Sequence, residues 1–183
     1  MARLKLKYKG LAEIVDSNGL GIITLTDESA SRAINFICDN ATIVQLHLRE
    51  KKVELSSAML PEVLVSFLGD YVEIRHMEVT IYDIQDGQYQ VTLTNSDHFS
   101  IRRIRLSDAV LLHLIAGVPI YIEERLMDSQ SVALDDKAET GKLSIPINSL
   151  DTDKLRYELQ RAVEIEDYRL ASYINAELKK RNN

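Results

Sequence analysis

Residues 3–9 alternate strictly, with Arg3, Lys5, Lys7 and Lys9 on one side and Leu4, Leu6 and Tyr8 on the other. A period of two is the mark of a half-buried strand. Asp16-Ser17-Asn18-Gly19 reads as a turn, and the β-branched, apolar run Leu20 to Thr26 as a second strand. A polar turn from Asp27 to Ser31 leads to a third strand, Arg32 to Ile37. Asp39 or Asn40 can then cap a helix running to about Leu48, whose apolar positions are Ile43, Val44, Leu46 and Leu48. After the charged connector Arg49 to Glu54, Pro61 is placed to open a helix over Glu62 to Leu68 that Gly69 closes. Tyr71 to Ile84 reads as a long strand, Asp86-Gly87 as a hairpin turn and Gln88 to Thr94 as the returning strand. A second turn at Asn95 to Asp97 leads into a basic strand, Phe99 to Leu106.

The strongest local grammar lies in Arg105 to Leu126. Ser107 is a good N-cap, because its hydroxyl can accept from a free N–H in the first turn. Asp108 puts negative charge at the positive end of the helix. Ala109 to Ala116 is apolar almost all round, so this helix should be buried. Gly117 suits the left-handed position past a helix end, Pro119 blocks continuation, and Ile120 and Ile122 mark a short strand. Residues 20–48 and 88–114 each read as two strands followed by a buried helix, and both helices carry Leu-His-Leu, at 46–48 and 112–114. That repeated order is what a duplicated α+β unit would show.

Residues 128–150 are polar with no sustained period and read as a mostly flexible linker, with Leu143 to Ile147 docking back on the domain. Residues 151–183 read as an αα-hairpin. Leu155, Leu159, Ala162 and Val163 form one stripe; Ala171, Ile174 and Leu178 form the other; Asp167 caps the second helix. The expected fold is α+β: a mixed or antiparallel sheet with buried helices over 1–127, the linker 128–150, and a helical hairpin over 151–183.

The segment Arg105, Ser107, Asp108, Ala109, followed by Pro119-Ile120-Tyr121, resembles the signature of the bifunctional nuclease (BFN) family. There a strand ends in a motif like Asp-Ala-Arg-Pro-Ser-Asp-Ala and runs into an apolar helix. Leu106 stands here where the family usually has proline, and Arg103 where its first acid tends to be. The stretch from Ala162 to Ala171 is similar to the UVR motif of nucleotide-excision-repair proteins and related adaptors, with its Glu-Asp-aromatic turn at Glu166-Asp167-Tyr168. Ser172 replaces that motif's second alanine. The first resemblance implies a DNase/RNase acting on phosphodiesters, with Mg²⁺ or Mn²⁺ as cofactor. The second implies a protein–protein interaction module that often pairs with its own kind. Their order along the chain resembles bacterial proteins that carry both.

The chain has 183 residues, suited to one main domain and a small appendage. A single cysteine, Cys38, leaves no internal disulfide and no cysteine metal cluster. No apolar run approaches a membrane span, and the first ten residues lack the apolar core of a secretory signal, so a cytoplasmic protein is expected. Net charge is −6, with 13 basic and 17 acidic residues in 1–127 and 9 and 11 in 128–183. Nucleic-acid binding would therefore need a local basic patch. Arg103 and Arg105 share one strand face, and Arg3, Lys5, Lys7 and Lys9 make another; adjacent strands would join them into a groove that tracks a phosphate backbone.

For chemistry, Asp108 could bind a divalent cation or activate water, and Arg105 could hold a phosphate bidentately, with Ser107 beside them. The structural alternative is a capped helix and an ion pair. Cation ligands would be Asp39, Glu62 and Asp108. Ala41 and Pro61-Glu62 stand where the family resemblance would put a second acid and a His-Asp pair. No two histidines have the i, i+4 spacing of a helical metal site, and His47, His76, His98 and His113 read as structural. Two functions follow. One is a metal-dependent nuclease acting on DNA or RNA. The other is a non-catalytic homo-oligomeric scaffold that recruits a protein partner through 151–183.

Overall fold

The computed structural model describes residues 2–14, 19–134, 152–164, 166 and 168–181. The alternating N-terminal pattern forms β1 (Arg3–Glu13), which buries Leu6 and exposes Lys5 and Lys7. The strand outlasts its strict alternation because of a bulge between Tyr8 and Gly10, where Gly10 takes φ +152°, a conformation other residues rarely adopt. β2 (Gly21–Asp27) and β3 (Arg32–Cys38) follow as a meander, then α1 (Asn40–Glu50) and α2 (Leu60–Gly69). β4 (Met77–Gln85), β5 (Gln88–Asn95) and β6 (Ser100–Arg103) form a second meander, followed by α3 (Leu106–Ala116). β7 (Ile120–Glu123), α4 (Glu124–Gln130) and β8 (Val132–Ala133) complete the body.

Among the described residues, all eight strands join one sheet, in the order β6-β5-β4-β7-β1-β2-β3-β8. β7 sits at its centre, antiparallel to β1 and parallel to β4. The two meander-and-helix units extend outward from β7 in opposite directions, and α1 and α3 pack together. The expected repeat of two strands and a helix is thus present in the element order, enlarged by one strand in each half.

The sheet curls strongly. β3 and β5 stand five positions apart in the order. A flat sheet would separate them by about 24 Å at the usual interstrand spacing. Instead, the Phe36 and Tyr89 rings meet edge to face, with centroids 6.5 Å apart. The curl wraps one core, in which Ile23, Leu25, Leu46, Val79, Ile81 and Met127 are at most 1% exposed. α3 has no exposed residue, as its all-round apolar sequence requires.

Asp27 closes the turn between β2 and β3. Burial alone would raise its carboxyl pKa; the Ser31 hydroxyl, the Arg32 amide, the Ser29 hydroxyl and the Ser31 amide together outweigh that and hold it below the usual range. Because the folded value is depressed, the stabilisation is present at neutral pH and is lost as pH falls below the unfolded carboxylate value toward the folded one. Asp27→Ala is expected to cost about 2–3 kcal/mol at neutral pH by leaving turn donors unpaired. Urea unfolding at pH 7 and pH 3 checks it: the gap between wild type and variant should narrow at the lower pH.

Several boundaries differ from the sequence reading. β6 ends at Arg103, and Leu106 already belongs to α3, because its side chain enters the core at 6% exposure. The N-cap is consequently Arg105 rather than Ser107. β4 starts only at Met77; the residues before it make a 3₁₀ turn, Ile74–His76, and Tyr71 is exposed. β1 and β6 lie four positions apart and are not the neighbouring strands that joining the two basic faces required. The expected boundary at Met127 falls within α4, and β8 pairs with β3, so ordered structure continues into the stretch read as linker. Leu143 to Ile147 and Asp167 lie outside the described residues.

The C-terminal helix pair, α5 (Thr152–Glu164) and α6 (Tyr168–Arg181), closes over its own small core of Leu155, Ala162, Ala171, Ile174 and Leu178. Val163, which shares the apolar stripe of Leu155, Leu159 and Ala162 in the sequence, is 51% exposed. Among the described residues, no helix is long and apolar enough to cross a membrane.

Candidate functional site: a groove at the start of α3

The curl brings the end of β3, the β4–β5 hairpin and the β6–α3 corner around a groove of about 690 Å³. Phe36, Tyr89, Gln90, Arg103, Arg105 and Ser107 are among its lining residues. The hairpin turns at Asp86 and Gly87, both at positive φ (51° and 75°), as a tight Asp-Gly turn demands. That geometry places Asp86, Gln88 and Gln90 at the groove as well. Burial pushes the Tyr89 hydroxyl pKa up, so its proton stays on at any physiological pH.

Arg105 governs the electrostatics. Its Nε and an Nη donate to the two Asp108 oxygens at 2.7 and 2.8 Å, a bidentate fork. Arg105 is the N-cap residue and makes no side-chain cap hydrogen bond, while Asp108 in the first turn sets its negative charge at the positive end of the helix. Ser107 sits inside the first turn and on the groove wall. The Arg105 side chain is 70% exposed and Asp108 37%. A fork this wet is worth ~0–1 kcal/mol, little enough for a stronger anion to replace it. Arg103 is exposed and makes no ion pair among the described residues.

Asp39 approaches the same corner from α1. Its Oδ1 accepts from the Thr42 amide at 2.8 Å, the N-cap predicted from sequence. Bonds from the Thr42 amide and hydroxyl hold its carboxyl below the usual range, and the Arg105 charge adds to them. Arg105 in turn is raised by its hydrogen bonds with Asp108, by that carboxylate's charge and by the charge on Asp39. One guanidinium therefore mediates between two carboxylates from different helices.

Glu62 does not join them. Its carboxylate is held by Arg49 Nη2 at 2.7 Å, an interhelical pair whose side chains are 16% and 6% exposed. Arg103 and Arg105 thus line the groove, Asp39 and Asp108 stand beside it through their interaction with Arg105, and Glu62 instead ties α2 to α1. Among the described residues, no three His, Cys, Asp or Glu side chains gather closely enough to hold a metal ion. His113 Nδ1 meets the Val118 carbonyl at 2.9 Å and His76 Nδ1 meets Asp97 at 2.7 Å, which are structural contacts.

Tyr89, Gln88, Gln90 and Asp86 were not among the candidates read from sequence, although β5 and β6 pair as consecutive antiparallel strands, with Thr92 opposite Arg103, and so set the hairpin beside the corner; the wall that no neighbouring stretch supplies is Phe36, brought in from β3. The local signal for the hairpin was the Asp-Gly turn.

Residues 23–135 match the model of the bifunctional nuclease domain. The chain belongs to the bifunctional nuclease domain family. The match runs from β2 to just past β8 and contains the whole groove. β1, although paired between β2 and β7 in the sheet, precedes it, and the α5–α6 pair follows it. No curated protein matches the chain in a sequence comparison.

Proposed function

We propose that this bifunctional nuclease domain protein binds DNA or RNA phosphodiesters in the groove at the start of α3 and hydrolyses them there. The observation that carries the reading is the exposed Arg103 and the weakly committed Arg105 on one groove wall, inside the family match. A phosphodiester oxygen pair suits the Arg105 fork as well as the Asp108 carboxylate does. When phosphate takes the guanidinium, Asp108 loses its partner next to the bound ester. In this reading it accepts the proton of a water that attacks phosphorus, while the P–O bond to the leaving ribose or deoxyribose oxygen breaks and that oxygen takes a proton from solvent. Ser107 supplies a hydroxyl donor on the same wall, and Arg103 neutralises charge along the backbone.

The family resemblance brought Mg²⁺ or Mn²⁺ with it, held by Asp39, Glu62 and Asp108. The donor set does not fit a divalent cation. Glu62 is bound to Arg49, both Asp108 oxygens face Arg105, and one Asp39 oxygen caps α1. No step is therefore routed through a metal.

The test uses labelled single-stranded and duplex oligonucleotides, with and without EDTA. Cleavage that survives EDTA is expected, together with a binding constant weakened about tenfold in Arg105→Ala and a shallower dependence on salt. Binding without cleavage would sink the hydrolytic part. Cleavage only with added Mg²⁺ or Mn²⁺ would show that a cation draws together carboxylates the fold holds with arginines.

A second reading draws on the same ion pairs. With every candidate acid engaged, the body is a non-catalytic scaffold, and the α5–α6 pair recruits a protein partner in the manner of a UVR motif. Tyr157, Val163 and Tyr168 supply it with exposed apolar surface. Capture of a partner by the full chain, abolished by Tyr157→Glu with the groove intact, would support it.

A further inference from the structure

α2 is turned inside out. Its sequence places Leu60, Val63, Leu64, Phe67 and Leu68, with Tyr71 just beyond its end, at positions that share one helix face, the spacing that normally faces a core. Yet all six are exposed: 69%, 40%, 52%, 63%, 47% and 80% in that order. Pro61, Glu62 and Val65, on the other side, are the half-buried ones. The helix rests on α3, and the Arg49–Glu62 pair, 2.7 Å long and nearly dry, ties its inner side to α1. The orientation is therefore held by a specific bond, and the leucine stripe is presented outward. Leu55, in the 3₁₀ turn just before α2, adds to it at 68% exposure.

We infer that this stripe is the self-association face of the protein and that its occupant is α2 of a second copy. The seven side chains present on the order of 700–800 Å², as much as one partner contributes to a standard interface and more than a monomer usually leaves exposed. The stripe carries no charge, so it can meet itself without burying one. Charges flank it asymmetrically: exposed Lys51 and Lys52, with Glu54, leave one positive charge at its start, and exposed Asp70, with the paired Glu73 and Arg75 beyond it, leaves one negative charge at its far end. A two-fold axis lays the helices antiparallel, so that the lysine end of each copy meets the acidic end of the other. The stripe centre, between Leu64 and Phe67, then packs against its own mate. This inference is independent of what the groove binds.

Light scattering and sedimentation of the full chain over a concentration series test it. The expected mass is twice the 20.8 kDa of one chain. Leu64→Lys/Phe67→Lys should weaken the dimer by roughly 100-fold or more, leaving single chains with an unchanged circular dichroism spectrum, since both positions are exposed within each copy. Leu64→Cys should form an interchain disulfide on mild oxidation, and Ser57→Cys, off the stripe, should not. Three results would overturn the inference: a single-chain mass at every concentration, a dimer that persists in the double lysine variant, or a dimer dissolved by Tyr157→Lys/Val163→Lys on the C-terminal pair instead.

Discussion

Asp108→Ala is expected to abolish cleavage while tightening binding of the uncleaved strand. If Asp108 takes the proton from water, removing it costs about 10²–10⁴-fold in rate. Arg105 would at the same time be released from its bidentate partner, with only the more distant charge of Asp39 to compete for it. A phosphate would no longer have to displace a carboxylate, so the dissociation constant should fall by about two- to fivefold, the scale of an exposed ion pair. Asp108→Asn is the useful companion, because it keeps the shape but neither the charge nor the proton acceptor. Single-turnover cleavage and equilibrium binding on the same oligonucleotide separate the two effects. Loss of binding in parallel with rate would mean that Asp108 serves only to shape the corner, and undiminished cleavage would remove it from the chemistry.

That corner shows what a sequence carries and what it hides. Strict alternation located β1, the Asp-Gly pair located the β4–β5 turn, and Gly117 sits at φ 71° where a helix must stop. These are local rules, satisfied within a few residues. The misassigned N-cap was a contest between two local rules. A serine cap favours a start after Ser107, whereas burying Leu106 favours an earlier one, and the burial won although the earlier start has no side-chain cap. Tyr71 to His76 failed for a related reason: Val72 and Ile74 imitate strand alternation, but the chain is still turning out of α2 there. The groove itself was not legible at all. It exists because an eight-stranded sheet curls until Phe36 meets Tyr89, and no window of sequence encodes that closure. Asp39 was named as a candidate acid, but its electrostatic link to Arg105 follows from the packing of α1 on α3.

Glu62 marks the same limit from the stability side, and its partner yields the largest expected loss of folding free energy. Arg49 lies in a stretch whose sequence reads as a charged connector, yet its side chain is 6% exposed. Nη1 donates to the Gln45 carbonyl oxygen and to its Oε1 at 2.7 and 2.8 Å, and Nη2 binds Glu62, while Nε is buried with no partner among the described residues. Arg49→Met would strand a carboxylate at 16% exposure between helices, which should cost about 3–5 kcal/mol. Arg49→Met/Glu62→Leu removes both charges and also the orphaned Nε, so it should recover most of that loss. Urea midpoints of the two single variants and the double close the cycle. A single-variant loss below ~1 kcal/mol would show that water reaches the pair and that it does not anchor α2. If it does anchor α2, the single variant should also broaden or weaken dimer formation, and the double variant should restore it, because the outward stripe depends on which side of the helix is tied down.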